Sequence, residues 1–524
     1  KKNYGAALAV AMCCVAGAVQ AETDEIIITA SPVSGDKVAI PVTSLTKDQL
    51  DSKGGDSLGE MLEGELGLTQ SGFATGASRP IIRGLDNFRV RIQENGVSDQ
   101  GVSALSEDHG APIDPLSADK IEVLRGPAVL RYGSQAIGGV VTVLNEHIPT
   151  RLQEETLSAE AYGSLSSVDN GRSAALALKG NVEGIAINAH GFVRRTDDYE
   201  LPDSSGDQQD TFLRSDGFTI GASHITEHGH IGVSGGRINS EYGIPASGGI
   251  FIDMEQDRVR LSGSHNNLSF EGGWSDYKHD EVDSATGAIG STFNNEEWEG
   301  RAEYLFTWHD NSNAAIGIQG GVRDISASGE GGELLAPVDS DNVALFGFDE
   351  TPINDRVALQ TGLRVEHVSH EGTGAIPDRL DQAALGGAAQ NIDAFEVERD
   401  RSFTLVSGSA ALVYTPDAER LFSLNLSYAE RAPAPSELFS KGPHEATETF
   451  EIGDPNMGKE KALSAEAHFE LNQTDRQVAI NLFYTAFDDF INKSATGFIC
   501  DDDFDSCGAG SELTQVVFAQ DDAR

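Results

Sequence analysis

Three short stretches gather the side chains that grip metal cations. SEDHG, Ser106 to Gly110, sets Asp108 beside His109. Neighbours on a regular strand point to opposite faces. Gly101, Gly110 and Pro112 favour a loop here, where both groups can face one ion. SDYKHDE, Ser275 to Glu281, reads as a strand with His279 and Glu281 on one face and Asp280 on the other. KGPHEATETFEIGDPN, Lys441 to Asn456, sets His444 in a turn-rich loop beside Pro443. Imidazole and carboxylate together suit a borderline divalent ion. Taken singly, each stretch also has an ordinary reading as a solvated loop or a polar strand end. Covalent chemistry has less support. Walker loops and H-E-x-x-H motifs are absent, and nothing in the sequence assembles the scattered Ser, His and Asp residues. The chain therefore reads as a binding or transport protein, with no catalytic cofactor.

The elements that must position these groups are strands. The chain has 524 residues and a net charge of −46, so phosphate-bearing nucleic acid is excluded as a partner and cations are favoured. Beyond the first 21 residues no apolar run reaches the ~18 residues of a membrane-spanning helix. Residues 151–524 instead alternate. Phe422, Leu424, Leu426 and Tyr428 face one way, and Ser423, Asn425 and Ser427 the other. Val478, Ile480, Leu482 and Tyr484 oppose Ala479, Asn481 and Thr485, with Phe483 out of pattern; Ile187 and Val193 oppose Asn188 and Arg194. Apolar-out, polar-in alternation is the signature of a transmembrane β-barrel, although large soluble β folds alternate too. At roughly 25 residues per strand and loop, this zone supplies about 15 strands.

Four zones follow. Residues 1–21 read as a secretory signal: Lys1 and Lys2, an apolar Ala6 to Val19, and a Val19-Gln20-Ala21 cleavage site. Export removes Cys13 and Cys14, leaving Cys500 and Cys507 to close a small loop as a disulfide. Residues 22–35 form an extended leader containing Asp24, Glu25, Ile26, Ile27, Ile28, Thr29 and Ala30, a β-branched run able to add to a partner's sheet edge. Residues 36–150 read as a compact α/β domain, with a helix over Ser57 to Leu66 and strands near 80–83, 89–92, 120–124 and 139–143. Residues 151–524 are the barrel. The sequence ends at Arg524 without an apolar strand, so we expect C-terminal truncation.

Residues 78–145 carry a resemblance. SRPIIRGLDNFRVRIQENGV and DPLSADKIEVLRGPAVLRYGSQAIGGVVTVLNE resemble the plug domain of TonB-dependent receptors, most specifically over Ile121 to Gly139. RAPAPSELF (Arg431 to Phe439) and DPNMGKEKA (Asp454 to Ala462) resemble barrel segments of the same family. The resemblance implies an all-β transmembrane barrel, 22-stranded in the family, filled by an N-terminal mixed α/β plug. It places Arg83, Arg125 and Gly126 in the plug's structural core and makes Asp24 to Ala30 the TonB box. It implies residence in a Gram-negative outer membrane among outer-membrane lipid, with TonB and its inner-membrane energising complex as partners. Within the family, Asp108-His109, Tyr277 to Glu281 and Gly442 to Glu451 resemble the ZnuD-type zinc receptors. Carried over position by position, the zinc ligands are Asp108, His109, Glu281 and His444, with His279 a second-shell group and Zn²⁺ the transported ligand. The family's His-rich loop has no counterpart in Tyr242 to Asp257. Import of haem, a ferric siderophore or another metal chelate, and a surface adhesion or phage-receptor barrel, are the competing readings.

Overall fold

The computed structural model describes residues 41–125, 129–202, 206–245, 248–309, 312–329, 332–375, 396–473, 476–500 and 513–524. The signal, the leader with Asp24 to Ala30, Gly126 and Cys507 lie outside the described residues.

A five-stranded sheet organises the N-terminal domain. Its spatial order is Val42–Thr46, Lys120–Arg125, Gly139–Leu144, Val90–Glu94 and Val97–Ser98. Only the Val90–Gly139 ladder is parallel. Ile121, Val123, Val141 and Val143 pack with Leu50, Leu58, Met61 and Leu62 in one apolar core. The helix expected over Ser57 to Leu66 is shorter, Leu58–Leu62. Gly64 and Gly67 hold φ of 85° and 72°, a left-handed backbone that breaks the helical run. Leu66 is thrown outward, 76 % exposed. Gly55 to Gly59 spells the G-x-S-x-G pattern of hydrolases. Ser57 is a helix cap here: its Oγ accepts the Glu60 N–H at 3.2 Å, and the segment before it is a helix, not a strand.

The barrel closes around this domain. Among the described residues it holds eighteen strands, from Leu157–Leu165 to Leu513–Ala523. Two of them, Lys441–His444 and Thr449–Ile452, form a hairpin of four-residue strands. The arithmetic of about fifteen fell short because many connections are two or three residues long, such as Glu183–Gly184 and Asn266–Asn267. The alternation works as a transmembrane wall requires. Leu424 and Leu426 are exposed to the outside while Ser423, Asn425 and Ser427 are buried inside. Phe483, the residue out of pattern, lies under the Arg83 guanidinium at 3.9 Å. No helix among the described residues is long and apolar enough to cross a membrane, which says nothing of strands.

Charge pairs fasten the inner domain to the wall. Arg83 pairs with Glu466, Arg89 with Glu460, Arg91 with Glu299, Arg131 with Glu303, and Glu94 with Arg258. Arg83 thus reaches the barrel as well as serving its own domain. Arg125 stays within it, donating to Thr43 Oγ1.

Candidate metal centre

The loop carrying Asp108 and His109 is braced from three sides. The Arg79 guanidinium donates to the carbonyls of Ser103 (2.8 Å) and Ser106 (2.6 Å). Tyr242, on the wall, donates its hydroxyl to the Asp108 carbonyl at 3.0 Å and accepts the Gly110 N–H at 3.0 Å. Gly110 is packed so closely that a Cβ there would lie 2.2 Å from the Gly76 carbonyl oxygen. Asp108 and His109 therefore have little freedom, and both side chains turn into the protein.

The wall supplies the other groups. Glu281 lies two residues from the end of the Leu268–Asp283 strand, where the ladder to Ile289–Phe306 shifts register between Glu281 and Val282. Such an irregularity re-aims a side chain. His444 arrives differently. After Arg431 the chain leaves the wall and turns through the Pro435–Phe439 helix, whose Leu438 and Phe439 are fully buried. It then enters the hairpin's first strand, which ends at His444.

These four side chains converge. One ligand atom from each of Asp108, His109, Glu281 and His444 lies within 4.8 Å of all the others. His444 Nε2 is 3.4 Å from Asp108 Oδ1 and 3.4 Å from Glu281 Oε1, and His109 Nε2 is 3.0 Å from Asp108 Oδ2. Tetrahedral zinc with N and O ligands at ~2.0–2.2 Å has ligand–ligand edges of about 3.4 Å. The site is closed to bulk solvent: Asp108, His109 and His444 are 0 % exposed and Glu281 1 %. Yet Asp108 Oδ1 and Oδ2, His109 Nε2, Glu281 Oε1 and Oε2, and His444 Nε2 all lack a hydrogen bond of proper geometry. Buried groups left like this are costly, and a shared cation is one way to satisfy them. Burial opposes the charge on Asp108, but the His109 and His444 imidazoles hold its carboxyl well below the usual range.

The far nitrogens of the imidazoles set their tautomers. His109 Nδ1 lies 3.2 Å from the Val102 carbonyl, so it carries the proton and leaves Nε2 free for an ion. His444 Nδ1 lies 3.3 Å from Glu451 Oε1, which also accepts from Lys493 Nζ at 2.7 Å. This is a carboxylate–imidazole arrangement of the kind that orients metal ligands. The sequence reading passed over the roles of Glu451 and Lys493. A signal for Glu451 existed: Gly442 pairs with Glu451 and His444 with Thr449, so His444 and Glu451 share a hairpin face. Lys493 left no such signal. His279 stands beside the cluster, stacked on Phe293 at 4.4 Å and 4.6 Å from the His109 ring. Its Nδ1 meets the Tyr277 hydroxyl at 2.9 Å, and its Nε2 has no partner. Asp280 faces away, accepting from Thr292 and Lys278.

Comparison with known proteins adds the wider frame. Residues 159–524 match the family described as TonB dependent receptor-like, beta-barrel, and residues 34–140 the TonB-dependent Receptor Plug Domain. The vitamin B12 transporter BtuB of Photobacterium profundum is 26 % identical over 237 residues, covering 42 % of this chain and 36 % of that protein. The ferric enterobactin receptor PirA of Pseudomonas aeruginosa is 35 % identical over 86 residues, covering 16 % of this chain and 12 % of that one. The matches thus span little more than a third of these curated relatives at most. Among solved structures, the copper transporter OprC superposes with a TM-score of 0.71 at 17 % identity, covering 92 % of this chain and 74 % of its own. The Serratia marcescens hemophore receptor HasR gives 0.73 at 14 %, covering 92 % and 77 %. Identities this low speak for the fold alone.

Proposed function

Since this chain belongs to the TonB-dependent receptors, a family of Gram-negative outer-membrane barrels, we propose that it imports zinc, bound as a bare ion between the plug and the barrel wall. The observation that carries this reading is the buried cluster of Asp108, His109, Glu281 and His444, with ligand atoms within 4.8 Å of one another. The local charges support a divalent ion. Asp108, Glu281 and Glu451 contribute three negative charges and Lys493 one positive, with both imidazoles neutral, so a 2+ ion brings the buried group to zero. Two imidazoles and two carboxylates suit Zn²⁺, whereas cuprous ion prefers thiolate or thioether sulfur.

A haem or a ferric chelate fits less well. Small-molecule ligands occupy pockets of roughly 300 Å³ and more, and these four side chains are packed against one another. The same fold serves a protein named a copper transporter, so metal import is within its range. Energy reaches the plug, on this reading, through the leader segment Asp24 to Ala30 bound by TonB, together with its inner-membrane complex. The outer-membrane resemblance to ZnuD-type zinc receptors belongs to the same proposal.

Metal analysis of the purified full chain tests it. One tightly held zinc per chain is expected to survive exhaustive dialysis, and Asp108→Ala/His444→Ala is expected to lose that tightly held ion. A variant that keeps its zinc, or a wild-type protein that prefers copper or haem over zinc in competition, overturns the assignment.

A further inference from the structure

A second imidazole pair lies at the other end of the plug. His147 and His190 have ring centroids 5.5 Å apart, beside the 5.4 Å between His109 and His444 in the upper site. Two imidazoles on one tetrahedral ion with ~2.0 Å bonds place their centroids about 5 Å apart. His147 belongs to the segment that leaves the last plug strand, and His190 projects from the Ile185–Thr196 wall strand. The pair therefore bridges plug and wall, as the upper cluster does.

The surroundings repeat a pattern already seen. His147 Nδ1 lies 3.0 Å from Glu94 Oε1, and Glu94 is held in turn by Arg258 at 2.6 Å. A cation, a carboxylate and an imidazole stand in line, as with Lys493, Glu451 and His444. Glu94 fixes the proton on Nδ1 and leaves Nε2 as a lone pair. His147 is 7 % exposed, and that Nε2 has no hydrogen-bond partner. It lines a cavity between plug and wall that also takes in His190 and Asn188. Asn188 Oδ1, likewise buried, has no partner either. The charged residues lining the cavity are Asp51, Asp119, Glu146 and Glu160 against Lys47 and Lys179, four negative and two positive, for a net of −2.

We propose that His147 and His190, with the Asn188 carbonyl oxygen, form a second divalent-cation site, looser and wetter than the first. Its place in the fold gives it a role. Asn188 and His190 lie within seven residues of the two-residue turn Glu183–Gly184, and the chain enters the barrel at that end, with Leu157 paired to Gly180. Short turns mark the periplasmic end of such barrels. Glu281 stands near the opposite end of its strand. An ion released from the upper site passes this pair before reaching the periplasm. The role as a waypoint rests on the import reading above; the binding of an ion does not.

Co²⁺ equilibrium dialysis with the full chain in detergent separates the two claims. Wild type binds two equivalents, one weaker. Asp108→Ala/His444→Ala keeps only the weaker one, and adding His147→Gln/His190→Gln to it removes that as well. His190→Gln alone, on a half-buried wall residue, weakens the second equivalent at least tenfold and spares the first. If the second equivalent is missing in wild type, or survives both His147/His190 substitutions unchanged, the lower site does not exist. A failure of the upper assignment shows differently: Asp108→Ala/His444→Ala then still binds two.

Discussion

Replacing Glu451 with Gln keeps the volume of a fully buried side chain and deletes one charge from the upper site. Glu451 touches no ion in this geometry. It accepts from His444 Nδ1 at 3.3 Å and from Lys493 Nζ at 2.7 Å. With both imidazoles neutral, as ion ligands must be, the wild-type charges around the ion sum to −2; Glu451→Gln leaves −1, so a bound 2+ ion strands one positive charge in a buried site. The amide is also free to donate to His444 Nδ1, which moves the imidazole proton to Nε2 and blocks the ligand. Loss of such an outer-shell carboxylate weakens metal binding roughly 10–100-fold, or about 1.4–2.7 kcal/mol. Lys493→Met supplies the contrast. It breaks the same buried pair from the other side and leaves −3, which a 2+ ion still meets favourably. Zinc affinity is then retained or strengthened, although the metal-free protein loses stability because an uncompensated carboxylate stays buried. Competition titration against a chromophoric chelator gives both affinities. If the two substitutions weaken zinc equally, the pair merely holds the hairpin in place and the electrostatic reasoning is wrong.

Three further substitutions or deletions probe the parts around the site. Tyr242→Phe removes the hydroxyl that joins the Asp108 carbonyl and the Gly110 N–H, leaving buried polar groups unpaired at about 1–3 kcal/mol; zinc should bind several-fold more weakly, and an unchanged affinity in the same titration counts against the brace. Gly110→Ala forces a Cβ to within 2.2 Å of the Gly76 carbonyl, so the Asp108-His109 loop must shift and zinc binding should fail while the barrel still resists heat in gel-shift assays; normal zinc content would show that the loop yields cheaply. Deleting Asp24 to Ala30 should stop zinc-limited growth with surface binding intact, and continued uptake of radioactive zinc would remove the coupling proposal.

The candidate residues stood out because they sit in short, unusual contexts, while the set of four was implied only by the family resemblance. An Asp-His pair between glycines and a histidine beside a proline stand out from alternating strands. The wall was legible for a different reason: a period of two survives in Phe422 to Tyr428 whatever the loops do. What the sequence hid was anything that needs two distant segments at once. Lys493 lies in the middle of a long strand and reads as one more polar residue until Glu451 is folded against it. Tyr242 reads as a strand aromatic, and only the approach of Gly76 and Gly110 makes it a clasp. The helix over Ser57 to Leu66 failed for a local reason, since the apolar spacing outlasted the backbone that Gly64 allows.

On the proposed zinc reading, the division of the site's four side chains bears on how a cargo is let go. Asp108 and His109 belong to the plug; Glu281 and His444 belong to the wall. Two ligands from either body alone are too few for a tetrahedral site. A tight, closed site of four ligands on one rigid body would release zinc slowly, since structural zinc binds with ~10 kcal/mol or more. Split between two bodies, the same site is dismantled by relative movement of a few ångströms, without any change in the ligands themselves. The contacts that resist such a movement are of two kinds: polar ones, Tyr242 to the Asp108 loop and the arginine–glutamate pairs along the plug, and apolar ones, Phe88, Val102 and Leu105 against Tyr277 and Phe293, and Tyr132 and Ile137 against Ala429 and Phe487. Polar contacts can exchange for water as they part, whereas a continuous apolar interface would have to expose its whole area to water. On the import reading a pull at the plug's N-terminus has to part both the charge pairs and this apolar packing, and that pull is what converts a binding site into an exit.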